Sequence, residues 1–93
     1  MFEGDLLRSI AVPVVLRLLN EREMYGYEII KEGHERTNGE FQWKEGTLYP
    51  CLHRMEGEGL IKSEWQKPEG ERRRKYYHIC SLGKQQLASR VNE

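Results

Sequence analysis

Ninety-three residues allow one compact domain, and 38% apolar with 32% charged residues fits a soluble globular chain with a heavily charged surface. Fifteen basic and fifteen acidic residues give zero net charge, which excludes a uniformly basic chain as a source of nucleic-acid affinity and leaves only a local patch. Cys51 and Cys80, 29 positions apart without paired spacing, speak against a disulfide framework or a zinc ribbon and fit a reduced cytoplasmic protein.

The start, MFEGD, is acidic and has no small-residue cleavage site, so no secretory signal is expected. From Leu6 to Leu19 ten of fourteen residues are apolar, too short a run to span a bilayer, and Arg8 and Arg17 interrupt it. No membrane partner is expected. Leu6, Leu7, Ile10, Ala11, Val14, Val15, Leu18 and Leu19 recur at spacings of three and four, so residues 4–20 read as a helix. Pro13 should kink it or mark an N-terminal turn. Val12 and Leu16 fall off the main stripe, which makes this helix apolar on more than one face and suggests a subunit interface.

Residues 20–23 form a polar turn before a second helix over 25–37, ended by Asn38-Gly39 as a left-handed cap. A third helix begins near Gly46 or Thr47, with Thr47 as its cap and Pro50 in its first turn. Gly57 and Gly59 close it. Residues 61–66 and 73–80 alternate as strands, and KPEGE between them reads as a hairpin loop. Ser81 is placed to cap a last helix over 82–91, where Leu87 and Val91 stand one turn apart. The fold class is mainly α with a small β-hairpin, a winged helix-turn-helix in the order helix, helix, helix, hairpin, helix.

On the third helix Leu48, Leu52 and Met55 share one face, which should be the core side. Thr47, Tyr49, Pro50, His53 and Arg54 then face outward, and Lys44 precedes the helix within reach of a phosphate backbone. That face alone fits plain solvated surface as well as a groove reader. The run Arg72, Arg73, Arg74, Lys75 on the adjacent hairpin, diluted by Glu69 and Glu71, tips the reading toward double-stranded DNA, with the helix reading sequence and the wing holding phosphates. A winged helix used for protein contact is the alternative, supported by the zero net charge.

Nothing points to catalysis. His34, His53 and His78 have no nucleophile or carboxylate at a convincing spacing, no serine sits in a nucleophile elbow, and no glycine-rich phosphate loop occurs. No enzyme activity and no cofactor are expected. Cys51 and His53 point about 200° apart on a helix, and His78 with Cys80 supplies only two ligands, so no metal site is expected. Trp43, Trp65, Tyr25, Tyr27, Phe2 and Phe41 are candidates to line a cavity for a small aromatic effector, although aromatics in a small domain more often form core.

The segments YGYEI (Tyr25–Ile29), GTLYPCLHRMEGEGLI (Gly46–Ile61) and GERRRKYYHICSLGKQQL (Gly70–Leu87) resemble the PadR family of bacterial winged-helix transcriptional regulators. The resemblance implies a homodimeric repressor on a roughly palindromic operator. Residues 1–93 would form one DNA-binding domain, with residues 4–20 and 82–93 as dimerisation helices and Leu6, Leu7, Ile10, Val14, Leu87 and Val91 as interface candidates. Thr47, Tyr49 and Pro50 match the start of the recognition helix, and Arg73, Arg74 and Lys75 match the wing. Tyr76 and Tyr77 match the second wing strand, one of them in a packing role.

Overall fold

A computed structural model describes the backbone of residues 2–39 and 42–91 and the side chains of residues 9–39 and 42–89. Its elements are α1 (Phe2–Glu21), β1 (Met24–Tyr25), α2 (Gly26–Arg36), α3 (Glu45–Gly57), β2 (Ile61–Gln66), β3 (Arg74–Ile79) and α4 (Ser81–Val91). The helices and hairpin follow the expected order. Among the described residues no helix is long and apolar enough to cross a membrane.

α1 is the central element, touching α2, α3, α4 and β3. Because neighbours cover it on several sides, Val12 and Leu16 are 5% and 0% exposed within this one chain. Their position off the main stripe is therefore core packing and gives no argument for a subunit interface. Pro13 lies inside the continuous helix and not at its N-terminal turn. Of the interface candidates, Ile10 is exposed, while Val14 and Leu87 are half-buried against the core. The side chains of Leu6, Leu7 and Val91 lie outside the described residues.

Met24, between the expected turn and helix, and Tyr25, expected as the first residue of the second helix, form a strand instead. β1 pairs antiparallel with β3 (Met24 with Tyr77, Tyr25 with Tyr76), giving a three-stranded sheet in the order β1-β3-β2. A two-residue strand is too short to show alternation, so nothing local announces it. β2 and β3 pair from Ile61–Ile79 to Gln66–Arg74. β3 starts at Arg74, one residue later than expected, and the loop turns at Pro68–Glu71. There the Glu71 amide donates to the Pro68 carbonyl at 2.9 Å and Gly70 takes φ 78, the positive value a type II turn needs at its third position.

The ends of α2 and α3 have local causes. The Tyr25 amide donates to the Glu28 carboxylate at 3.2 Å at the start of α2. At its end Asn38 and Gly39 adopt φ 54 and 83, and the Gly39 amide bonds the His34 carbonyl at 2.8 Å, the left-handed cap expected there. α3 begins two residues before the expected cap. The Lys44 carbonyl already accepts from the Thr47 and Leu48 amides, both at 2.9 Å, so Thr47 is a helical residue and Pro50 falls in the second turn.

At its far end Gly59 (φ 80) donates to Glu56, and the Leu60 amide reaches the Met55 carbonyl at 3.0 Å. This paired closure leads the chain straight into β2. α4 packs so tightly that a Cβ on Gly83 would stand 2.3 Å from the Leu60 carbonyl oxygen and 2.9 Å from Ile79. Gly83→Ala should therefore destabilise the fold by about 1–3 kcal/mol, read as a Tm drop of at least 4 °C or so in a thermal melt.

Candidate nucleic-acid interface

Leu48, Leu52 and Met55 are fully buried, which turns the opposite side of α3 outward. Lys44, Thr47, Tyr49, Pro50, His53 and Arg54 are all exposed there. Cys51 stands beside the core stripe with its Sγ 3.9 Å from the Met55 sulfur, separated in facing from His53.

Tyr49 does more than face solvent. Its ring lies back across the start of α2, where a Cβ on Gly26 would meet the hydroxyl at 2.3 Å. The glycine of YGYEI and the tyrosine of LYP thus form one packing unit that sets α3 against α2. Burial, with Glu45 nearby, pushes the Tyr49 phenol above its ordinary range, so it stays neutral.

On the wing, Arg72 and Arg73 lie in the loop and are exposed, while Arg74 and Lys75 begin β3 and are half-buried. Three of the four cations stand over aromatic rings. The Arg73 guanidinium is 5.0 Å from the Trp65 ring centre, that of Arg74 is 4.4 Å from Tyr25, and the Lys75 ammonium is 5.9 Å from Tyr77. Glu71 approaches Arg74 only to 3.8 Å. Tyr77 is the packing member of the tyrosine pair, buried in the core, whereas Tyr76 meets Tyr25 edge-on at 5.4 Å.

α3 and the wing enclose a cleft of about 460 Å³, with Tyr49, His53 and Glu56 on one wall and Trp65, Arg73, Arg74 and Lys75 on the other, Tyr25 and Tyr77 completing it. The acid in this cleft is tied down: the Ser63 hydroxyl donates to Glu56 at 2.6 Å, clipping β2 to α3. Elsewhere acids are paired with other arginines. Glu21 bonds Arg36, which holds its carboxyl below the usual range, Glu32 also meets Arg36 at 3.1 Å, and Glu28 meets Arg22 at 3.2 Å. A chain with zero net charge thus keeps a cationic strip beside its outward helix.

One constellation was not readable from spacing. His78 lies between Glu23, 3.3 Å from Nδ1, and Glu64, 3.0 Å from Nε2, with Gln66 donating to both carboxylates. These residues come from the turn before β1 and from two strands, so only the sheet brings them together. The carboxylates sit at opposite ring nitrogens of a histidine on the central strand; Cys80 takes no part.

An exposed helix flanked by a cationic hairpin, on a three-helix core with a three-stranded sheet, defines a winged helix-turn-helix regulator. The chain belongs to the PadR-like family of transcriptional regulators, whose family model matches residues 15–89; this is a family of regulators and not of enzymes. It is 41% identical over 93 residues to an uncharacterised protein of Lysinibacillus sphaericus, covering 100% of this chain and 85% of that one. It is similar to a transcriptional regulator from Clostridium thermocellum (34% identity, TM-score 0.82, 95% of this chain and 82% of that one). A PadR family transcription regulator from Clostridium difficile matches at 38% identity and TM-score 0.76, over 88% and 83% of the two chains. PadR of Bacillus subtilis in complex with operator DNA matches at 25% identity and TM-score 0.80, over 90% of this chain and 48% of that one.

The Gly26–Tyr49 contact predicts a coupled pair of substitutions. Gly26→Ala should cost about 1–3 kcal/mol in urea unfolding, and most of that penalty should vanish when Tyr49→Ala is already present. Burial first, then Glu56 and Tyr49, raises the Tyr77 phenol above its ordinary value of 10.0. The folded state then keeps a proton that the unfolded chain loses, so this contribution to stability is complete below about pH 10 and is lost as pH rises through the folded-state value. Tyr77→Phe should flatten that alkaline fall when unfolding is compared at about pH 9 and about pH 11.

Proposed function

We propose that this chain is a sequence-specific regulator that binds double-stranded DNA as a homodimer and represses by occupying its operator. The observation that carries the reading is the placement of the outward α3 face beside Arg73, Arg74 and Lys75 across one cleft. The Bacillus subtilis relative in complex with operator DNA supports it. Thr47, Tyr49, Pro50, His53 and Arg54 take the groove, Lys44 and Arg72–Lys75 take phosphates, and residues 1–93 act as one DNA-binding unit in the cytoplasm.

Dimerisation through α1 and α4 would set two α3 helices about 34 Å apart, one turn of a roughly palindromic duplex. The exposed Ile10, continuous with half-buried Val14, supports a role for α1 at that interface. A small aromatic effector that releases DNA would enter between subunits. Of its candidate ring partners, Trp43 belongs to the core and Tyr25 and Trp65 lie under arginines, whereas Tyr27 is 58% exposed.

Titration with random duplex DNA at low and moderate salt tests the reading. Binding at low salt should weaken with a log–log slope of about −0.9 per phosphate contacted. Arg73→Glu with Arg74→Glu should abolish binding to every sequence, while Thr47→Ala should mainly lower preference for an operator selected from a random pool. Absence of binding at low salt would leave the chain as a protein-contact module, and sedimentation as a monomer at tens of micromolar or so would remove the dimer.

A further inference from the structure

Arg73, Arg74 and Lys75 are consecutive, and successive residues of a strand point to opposite faces of a sheet. Left to strand geometry, β3 would send Arg74 and Lys75 apart. Yet all three line the same cleft facing α3. What accompanies this convergence is one ring under each cation, contributed by three different strands: Trp65 of β2 under Arg73, Tyr25 of β1 under Arg74, and Tyr77 of β3 under Lys75.

The electron-rich ring faces attract the cations and restrict their rotamers, and they offset the repulsion of three adjacent like charges. Tyr25 is itself held, edge-on against Tyr76 and by the hydrogen bond its backbone N–H donates to the Glu28 carboxylate. Trp65 is 57% exposed, large for a tryptophan with no core to fill, and its position directly opposite Lys75 in the register sets it at the mouth of the cleft.

We propose that Tyr25, Trp65 and Tyr77 are positioning residues that hold the wing cations, in advance of binding, where a phosphate of the DNA backbone passes between wing and α3. This rests on the DNA-binding reading above. The rings add no charge. They fix charges that would otherwise have to be ordered when the duplex arrives.

The test uses random-sequence duplex DNA and the full chain, with affinity measured over a range of salt. Trp65→Leu and Tyr25→Leu should each weaken binding about 2- to 5-fold at unchanged salt slope, because the cations remain. Arg73→Gln should lower both affinity and slope. Trp65→Phe and Tyr25→Phe, which keep a ring, should recover most of the loss, a rescue that a general packing defect would not give. If Tyr25→Leu lowers the melting temperature strongly, the exposed Trp65 pair carries the comparison. Leucine variants that bind like wild type, or phenylalanine variants that lose as much as leucine, overturn this inference and leave DNA binding standing. A wild-type chain that does not bind at low salt overturns the DNA reading and this inference with it.

Discussion

Leu60 is the joint on which the relation of helix to wing depends. Its amide closes α3 on the Met55 carbonyl, its side chain is buried in the core, and its carbonyl accepts the Cys80 amide at 2.9 Å where β3 hands over to α4. Gly83 packs on the same carbonyl. One residue therefore holds the end of the outward helix, the base of the hairpin and the start of the last helix together. Freedom at this point would let the cationic wing swing relative to α3, and the cleft between them would lose its shape. Ser63, three residues further along, fastens the same angle through Glu56.

The second constraint is electrostatic. With equal numbers of acids and bases, the chain can present a cationic strip only by satisfying its acids elsewhere. Glu21, Glu28 and Glu32 are engaged by Arg36 and Arg22, while Glu23 and Glu64 flank His78 on the central strand. These are partly exposed pairs that add little to stability. Their effect lies in placement: these acids lie away from the cleft, where Glu56 is held by Ser63, Glu71 comes no nearer to Arg74 than 3.8 Å, and aromatic rings lie beneath three of the wing cations. That arrangement leaves the cations available to an outside anion.

Much of this was legible along the chain because it is local. The apolar spacing of Leu48, Leu52 and Met55, the Asn38-Gly39 cap, the alternation of residues 61–66 and the RRRK run each act within a few residues of themselves. What failed was what depends on neighbours distant in sequence. Val12 and Leu16 looked surplus to one core because spacing cannot tell how many elements will cover a helix. β1 was invisible because two residues have no pattern, and only β3 makes them a strand. Thr47 looked like a cap because its side chain suits the task, whereas the Lys44 carbonyl had already started the helix.

Read alone, the sequence determined the element order, the outward face of α3 and the presence of basic charge beside it, since periodicity and composition express themselves over one or two turns. The tertiary structure decided where that charge points. Arg74 reaches Tyr25 only when β1 pairs with β3, Arg73 reaches Trp65 only when the hairpin closes, and Tyr49 meets Gly26 only when α3 docks on α2. Contacts such as Arg74 with Tyr25 and Gly26 with Tyr49, between residues 49 and 23 positions apart, are set by packing, which no local pattern encodes.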